Sequence, residues 1–431
     1  MSCAVRPERL SHVDRRLNVV VVDEELPYPP NSGKRIRTLN LLLQLAEPHC
    51  VTMICHRNAD DEETDKATAF LNERGIETVV VNRRLQKGTA LRKDPAFYGR
   101  LAMNLFSPRP YVVDANDSAE LRVAVNRYLM THHVDVWQCE WTPLLPVMGN
   151  VAADRILVVA HNVESLIWQR YHETERNPVK RWYIHHQWQK MRRFERNALH
   201  RARHVVTVSA EDAQLVRDEF GRSEVQVVEN GVDTTYFTPL ERERNPFEVL
   251  FLGSLDWRPN LDAARLLIEY IFPAVSKAIP EAKLRLVGRN PPSWLAQLAS
   301  RTPGVEVIAN VPDVRPMLAR CALMAVPLRI GGGSRLKILE ALAMETPVVT
   351  TAVGCEGLRT KNSVHLVSTD SVDSMASALI ENLQYPQPIR DMARRGRELV
   401  VKHYDWTILG ERLERAWLSC AGAVRQPEAV A

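Results

Sequence analysis

Short runs rich in Val, Ile and Leu recur along the chain with room for a helix between each pair: LNVVVVD (17–23), VTMICH (51–56), ETVVVN (77–82), VDVWQCE (134–140), ILVVAHN (156–162), HVVTVS (204–209) and VQVVEN (225–230). The intervening segments carry helical periodicity, as over 35–46, where Ile36, Leu39, Leu43 and Ala46 recur at helical spacing. Aliphatic strands of this kind are stable only when both faces of their sheet are covered, so the alternation predicts a parallel sheet between helical layers. The rhythm then restarts with EVLFLGS (248–254), AKLRLVG (282–288), VEVIAN (305–310), LMAVP (323–327), PVVTT (347–351) and VHLVS (364–368). Between the halves, ENGVDTTYFTPLERERNPF combines turn residues with a charged run, as linkers do. The expected organisation is therefore two Rossmann-like, doubly wound α/β domains, 17–238 and 239–402, followed by a helix over 403–421 and a frayed tail after Gly422. No repeat of 20 to 50 residues suggests a solenoid.

Composition narrows the function classes. At 431 residues with 45% hydrophobic and 25% charged, the chain has material for two cores. Fifty-six Lys and Arg against 52 Asp and Glu leave a net charge of +4, too little for a nucleic-acid coat but compatible with anionic ligands. Cys3, Cys50, Cys55, Cys139, Cys321, Cys355 and Cys420 are scattered without a CxxC pair, which argues against a disulfide framework or zinc site and for a reducing, cytoplasmic setting. MSCAVRPERLSHVDRR lacks an apolar signal core, and no run approaches the length of a membrane span. His132-His133 and His185-His186 have no partners at ligand spacing, no Asp-x-Asp follows a strand, and the acidic run Asp60 to Glu63 suits a helix start; no metal or cofactor is expected.

In doubly wound sheets, ligands bind beyond the carboxyl ends of the strands. The richest such place is 327–356, PLRIGGGSRLKILEALAMETPVVTTAVGCE, where a strand leads through Gly331, Gly332, Gly333 and Ser334 into a helix. Backbone N–H groups there favour an anion. Gly333, Lys337 and Glu340 share one helical face while Leu336, Leu339 and Ala343 share another suited to the sheet. Lys337 can neutralise a diphosphate, Arg335 can grip phosphate oxygens, and Glu340 can accept from ribose hydroxyls. The plainer reading is a surface Lys337–Glu340 pair beside a flexible loop. In the first half, Gly33 opens a helix carrying Lys34, Arg35 and Arg37, a phosphate cradle or simply a tight turn. His161 ends the strand ILVVAHN beside Asn162 and Glu164, placed to hydrogen-bond a sugar or to serve the fold. Over 179–203, eight Lys and Arg join Trp182, Tyr183, Trp188 and Phe194. That helix can lie on an anionic bilayer. Because Glu195, Gln187 and Gln189 interrupt any apolar stripe, a helix packing its aromatics inward and solvating its charges is the favoured alternative.

These stretches together resemble the GT-B-fold, retaining glycosyltransferases of family 4, whose nucleotide-sugar signature runs through Leu339 to Thr350. PYPPNSGKRIR, AHNVES (160–165), VSAED (208–212), ENGVDTTYFTP (229–239), FLGSLDWRPN (251–260) and RLVGRNPP (285–292) carry the likeness across nearly the whole chain, toward the branch that builds bacterial exopolysaccharides. The resemblance implies two domains facing across a cleft, with the last helix, bearing Trp406 and Trp417, crossing back to the first. It implies a nucleotide-diphosphate sugar as donor and a sugar or lipid-linked saccharide as acceptor, with no nucleic acid. Catalysis would involve Arg335, Lys337, Glu340 and His161, and diphosphate binding Gly33, Arg258, Gly331, Gly332, Gly333 and Ser334. Base contacts would come from Arg289 and Val311, with Lys34, Arg35, Asn162 and Glu164 toward the acceptor. The leaving phosphate would accept the acceptor's proton on the front face. Two positions depart from the family. The first Glu of its E-x7-E pattern is Gly332, leaving the sugar to backbone amides of 332–334. Its Arg and Lys after the first strand of the second domain are Ser254 and Pro259, leaving the diphosphate charge to Arg258, Arg335 and Lys337. Rival readings are a nucleotide-sugar epimerase of the same fold and a non-catalytic nucleotide-sugar-binding assembly subunit.

Overall fold

A computed structural model describes residues 15–82, 95–329 and 335–422. The chain divides into two compact units. One comprises residues up to Val206, Leu215–Gln226 and the chain from Arg412 on; the other comprises Thr207–Gln214 and Val227–Glu411.

The first unit is built on strands β1 (Asn18–Asp23), β2 (Cys50–His56), β3 (Ile76–Val81), β4 (Val136–Cys139), β5 (Ile156–Ala160), β6 (His204–Thr207) and β7 (Val225–Val227), in the spatial order 3-2-1-4-5-6-7. β1 pairs in parallel with both β2 and β4, Val19 lying opposite Val51 on one side and Val136 on the other. Its valines are at most 1% exposed, which accounts for the unbroken aliphatic run. The helix Gly33–Leu45 follows β1, with Ser32 Oγ accepting from Arg35 N at 3.3 Å as its cap. Asp60 caps the helix Asp61–Asn72, so the acidic run serves a helix start as expected. Trp417, on the final helix Trp406–Cys420, is fully buried in this unit.

The second unit repeats the plan with β8 (Glu248–Leu252), β9 (Lys283–Gly288), β10 (Val305–Ala309), β11 (Leu323–Val326), β12 (Val348–Thr351) and β13 (Val367–Thr369), ordered 10-9-8-11-12-13. Its core gathers Phe251, Phe272, Leu286, Ile338, Leu342 and Tyr404. Both orders reverse direction beside their first strand, between β1 and β4 and between β8 and β11, the crevice where doubly wound folds take ligands. Gly288 is required at the end of β9: a Cβ there would stand 1.8 Å from the carbonyl oxygen of Gly253.

Two details differ from expectation. The segment after Val227 packs on the second unit, ahead of the boundary expected at Pro239, because Val232 enters that core and donates from its amide to Tyr404 O at 2.8 Å. The last strand starts at Val367 rather than 364, since the amides of Val364 and His365 close a turn on Lys361 O and Ser363 takes a φ of 60°. The tail beyond Gly422 lies outside the described residues. No described helix is long and apolar enough to cross a membrane.

Candidate functional site

In the second unit, the helix Leu336–Ala343 buries Leu336, Ile338, Leu339, Leu342 and Ala343 and leaves Lys337 and Glu340 half-buried beside them. Lys337 Nζ donates to Asn260 Oδ1 at 2.7 Å and stands 4.8 Å from the centre of the Phe251 ring. Asn260 is held in turn by donating to Ser254 O at 3.0 Å, and Gly253 makes room for it, since a Cβ there would meet its amide at 2.7 Å. Burial pulls the Lys337 amine down to about 7 despite Glu340, and burial pushes Glu340 up to about 7 despite Lys337. Among the described residues Lys337 has no carboxylate at ion-pair distance, and Glu340 no hydrogen-bond donor. This is an amine and an acceptor held at the switch point with no ion-pair partner among the described residues.

Arg335 is placed differently from expectation. It is 8% exposed, and its guanidinium donates to Glu356 O at 3.3 Å and to the Glu356 carboxylate at 3.2 Å, so it fastens the start of this helix to the end of the β12 region. Arg258 is exposed at the first position of the helix Arg258–Leu266. Arg289 contacts Asp256 at 3.5 Å, and Asn290 donates to the same carboxylate at 3.2 Å, so the loops after β8 and β9 are tied together, and the Asn290 amide donates to Asn310 Oδ1 at 3.2 Å, one residue before Val311. Gly331, Gly332, Gly333 and Ser334 lie outside the described residues.

The first unit gathers a buried ionic network at its own switch point. Asp23 ends β1 and Glu140 follows β4, both 2% exposed. Lys34 pairs with Asp23 and reaches Glu24 at 3.5 Å. Burial pushes the Asp23 carboxyl up to about 7 against the pull of Lys34; Asp23 and Glu24 in turn outweigh burial at Lys34 and hold its amine above the usual range. His161 Nε2 lies 2.7 Å from Glu140 Oε2. Burial keeps His161 below its ordinary range although Glu140 opposes this, with Arg37 and Lys34 adding to the lowering. At Glu140, burial is overcome by the bond to His161 and the charges of His161, Arg37 and Lys34, so the carboxylate stays ionised. Neutral imidazole beside ionised carboxylate is the state at neutral pH.

Glu164 accepts from Trp141 Nε1 at 2.9 Å, and burial raises its carboxyl. Arg35, expected toward the acceptor, is instead 8% exposed and bound to Glu25 at 2.9 Å and Glu63 at 2.8 Å. Gly33 begins the helix beside this network and Asn162 follows β5 next to His161. Asp23, Glu140 and Asn260 were not singled out from the sequence. A signal existed for two of them, because VVVVD and VWQCE each place an acid at the carboxyl end of an aliphatic strand.

The helix Pro178–Arg201 buries Gln187, Lys190 and Glu195 and leaves Trp182 60% and Val179 73% exposed. Gln187 bridges Asn104 and the Tyr111 amide, both at 2.8 Å, while Lys190 donates to Asn104 O at 2.6 Å. Gln187 and Glu195, two of the polar residues that break the apolar stripe, are thus used by the fold, while Phe194 packs against the core and Trp182 stays exposed, so the aromatics divide between the two sides of the helix.

Comparison with known proteins agrees with this architecture. Residues 246–384 match the sequence profile of glycosyl transferases group 1, and 32–236 that of glycosyltransferase family 4. A GDP-mannose-dependent monoacylated alpha-(1-6)-phosphatidylinositol monomannoside mannosyltransferase of Corynebacterium glutamicum is 30% identical over 203 residues, 43% of this chain and 53% of that protein. A phosphatidyl-myo-inositol mannosyltransferase of Mycobacterium tuberculosis is 28% identical over 213 residues, 47% and 56% of the two chains. The match spans about half the length of these curated relatives. Among solved structures, sucrose-phosphate synthase from Thermosynechococcus elongatus shares the fold with a TM-score of 0.68 at 18% identity, over 95% of this chain and 100% of that one. Anabaena HepE in complex with UDP and glucose shares it with a TM-score of 0.63 at 15% identity, over 94% and 100%.

Proposed function

We infer from one premise, that this chain belongs to the group 1, family 4 glycosyltransferases, that it moves a glycosyl group from a nucleotide-diphosphate sugar to an acceptor hydroxyl with retention of anomeric configuration. The observation that carries the reading is the Lys337 amine, buried at the switch point without a carboxylate at ion-pair distance among the described residues, beside a Glu340 carboxyl held near neutrality. A diphosphate supplies the anion that this amine lacks, and ribose hydroxyls supply the donors that Glu340 lacks.

In the reaction the bond from the anomeric carbon to the phosphate oxygen breaks, the bond to the acceptor oxygen forms, and the acceptor's proton passes to the departing diphosphate. Negative charge grows on that diphosphate, so the positive charge of Lys337 and Arg258 and the amides of 331–334 stabilise the transition state more than the bound donor. Arg335 supports them by anchoring the helix to Glu356. Base contacts fall to Arg289 and Val311. We assign His161 to a hydrogen bond with the donor sugar and Gly33 to the diphosphate, with Lys34, Asn162 and Glu164 serving the acceptor. Because the phosphate itself takes the proton, no glycosidase-like carboxylate pair is required, and charge neutralisation by these side chains calls for no metal.

The acceptor is a sugar or lipid-linked saccharide, met at the cytoplasmic face of a membrane in glycoconjugate or exopolysaccharide synthesis. Exposed Val179 and Trp182 on a helix rich in Lys and Arg support peripheral contact there. Both mannosyltransferases are named for phosphatidylinositol-based acceptors, consistent with this class.

Purified protein incubated with a panel of nucleotide sugars, with and without simple or lipid-linked acceptors, tests the reading through released nucleoside diphosphate and glycosylated product. Acceptor-dependent release of one diphosphate, reduced about 100-fold or more in folded Lys337→Met, is expected. Donor binding without turnover across the panel would replace the transferase with a binding subunit, and sugar isomerisation without acceptor would replace it with an epimerase.

A further inference from the structure

We propose that Trp417 of the final helix sets the orientation and tautomer of His161 through a relay of hydrogen bonds across Gln138 and Glu140. The consequence for sugar transfer rests on the role just given to His161, whereas the relay itself rests only on geometry within the first unit.

Gln138 and Glu140 stand two residues apart at the end of β4, so their side chains leave the same face of the sheet. Trp417 Nε1 lies 2.6 Å from Gln138 Oε1. An indole N–H only donates, which fixes that atom of the Gln138 amide as the oxygen and turns its NH2 toward Glu140. There the amide donates to Glu140 Oε1. The second carboxylate oxygen lies 2.7 Å from His161 Nε2 and also receives Thr38 Oγ1 at 3.4 Å. An ionised carboxylate only accepts, so the imidazole proton resides on Nε2 and Nδ1 keeps its lone pair. Among the described residues Nδ1 has no partner, and it is the atom left to accept from a sugar hydroxyl.

Each link has one chemically allowed direction, and the relay is enclosed: Trp417 and Gln138 are 0% exposed and Glu140 2%. A carboxylate so buried cannot exchange a lost donor for water, so releasing either end frees Glu140 to rotate and leaves both His161 tautomers accessible. Trp417 and Gln138 are therefore positioning residues, and a helix remote in sequence acts on the imidazole without touching it.

The test uses the full chain with isotopically labelled histidine, the His161 ring being assigned by comparison with His161→Gln. Trp417→Phe keeps an aromatic side chain and removes the donor. Gln138→Leu breaks the relay one link later, and Leu413→Ala loosens the same helix, where Leu413 is 1% exposed, without touching the relay. We expect the wild type and Leu413→Ala to show nitrogen shifts of a single Nε2–H tautomer, and both relay variants to show a mixture. In both, kcat is expected to fall about tenfold or more while donor KM moves less than about threefold. Unaltered His161 shifts in folded Trp417→Phe and Gln138→Leu would overturn the relay, as would equal changes in Leu413→Ala. Mixed tautomers with undiminished kcat would uphold the relay and remove His161 from the transfer reaction.

Discussion

Donor binding should exchange protons with solvent, and the direction should reverse with pH. Free Lys337 and Glu340 both titrate at about 7, one drawn down and the other pushed up by burial. A bound nucleotide-diphosphate sugar, whose ester-linked phosphates stay ionised throughout, favours charged Lys337 through its diphosphate and ionised Glu340 through its ribose. At pH 8 the free amine is about 0.1 charged and the free carboxyl about 0.1 protonated, so binding takes up about 0.9 proton at Lys337 and releases about 0.1 at Glu340, a net uptake of about 0.8. At pH 6 the fractions exchange and binding releases about 0.8 proton. Affinity is therefore greatest near neutrality and falls by about threefold at pH 6 or pH 8, more steeply beyond. Calorimetric titration in two buffers of different ionisation enthalpy measures the exchange directly. Lys337→Met should abolish the uptake at pH 8 and keep the release at pH 6, and Glu340→Gln should do the reverse. Exchange of one sign at both pH values, or uptake at pH 8 that survives in Lys337→Met, would refute the assignment of these groups to the donor.

Three further outcomes follow from the geometry. Arg35→Met should lower the urea midpoint by the equivalent of about 1–2 kcal/mol through the loss of its bonds to Glu25 and Glu63, with donor and acceptor KM within about threefold; a large rise in KM at unchanged stability would instead make Arg35 a ligand contact. Glu195→Ala removes the carboxylate that accepts from the amides of Glu164 and Ser165 at 2.7 and 2.9 Å, the start of the helix Glu164–Thr174, and should cost about 1–2 kcal/mol in denaturant unfolding. Gly288→Ala forces apart the ends of β8 and β9 and should cost about 1–3 kcal/mol while weakening donor binding, because Asn260 and Arg289 hang on those ends. Unchanged stability and affinity in that variant would contradict the close approach described.

How far the sequence reached depends on the range of the interaction concerned. The period of aliphatic runs is a local property that reports burial on both faces of a strand, so the two parallel sheets, the helices between them and the apolar and polar rows around Lys337 and Glu340 could all be read along the chain. Partners distant in sequence could not. Arg35 looked like an acceptor-side contact and Arg335 like a phosphate ligand until Glu25, Glu63 and Glu356 were brought to them. In the helix Pro178–Arg201, Gln187, Lys190 and Glu195 looked solvated until Asn104, Tyr111 and the Glu164 and Ser165 amides claimed them. His161 could be suspected from its place at a strand end, but its tautomer is set by Glu140, and Glu140 is held through Gln138 by Trp417, 279 positions from Gln138. Periodicity records which side chains leave water; the state of a buried charge depends on which donors and charges arrive beside it, and only the tertiary fold decides that.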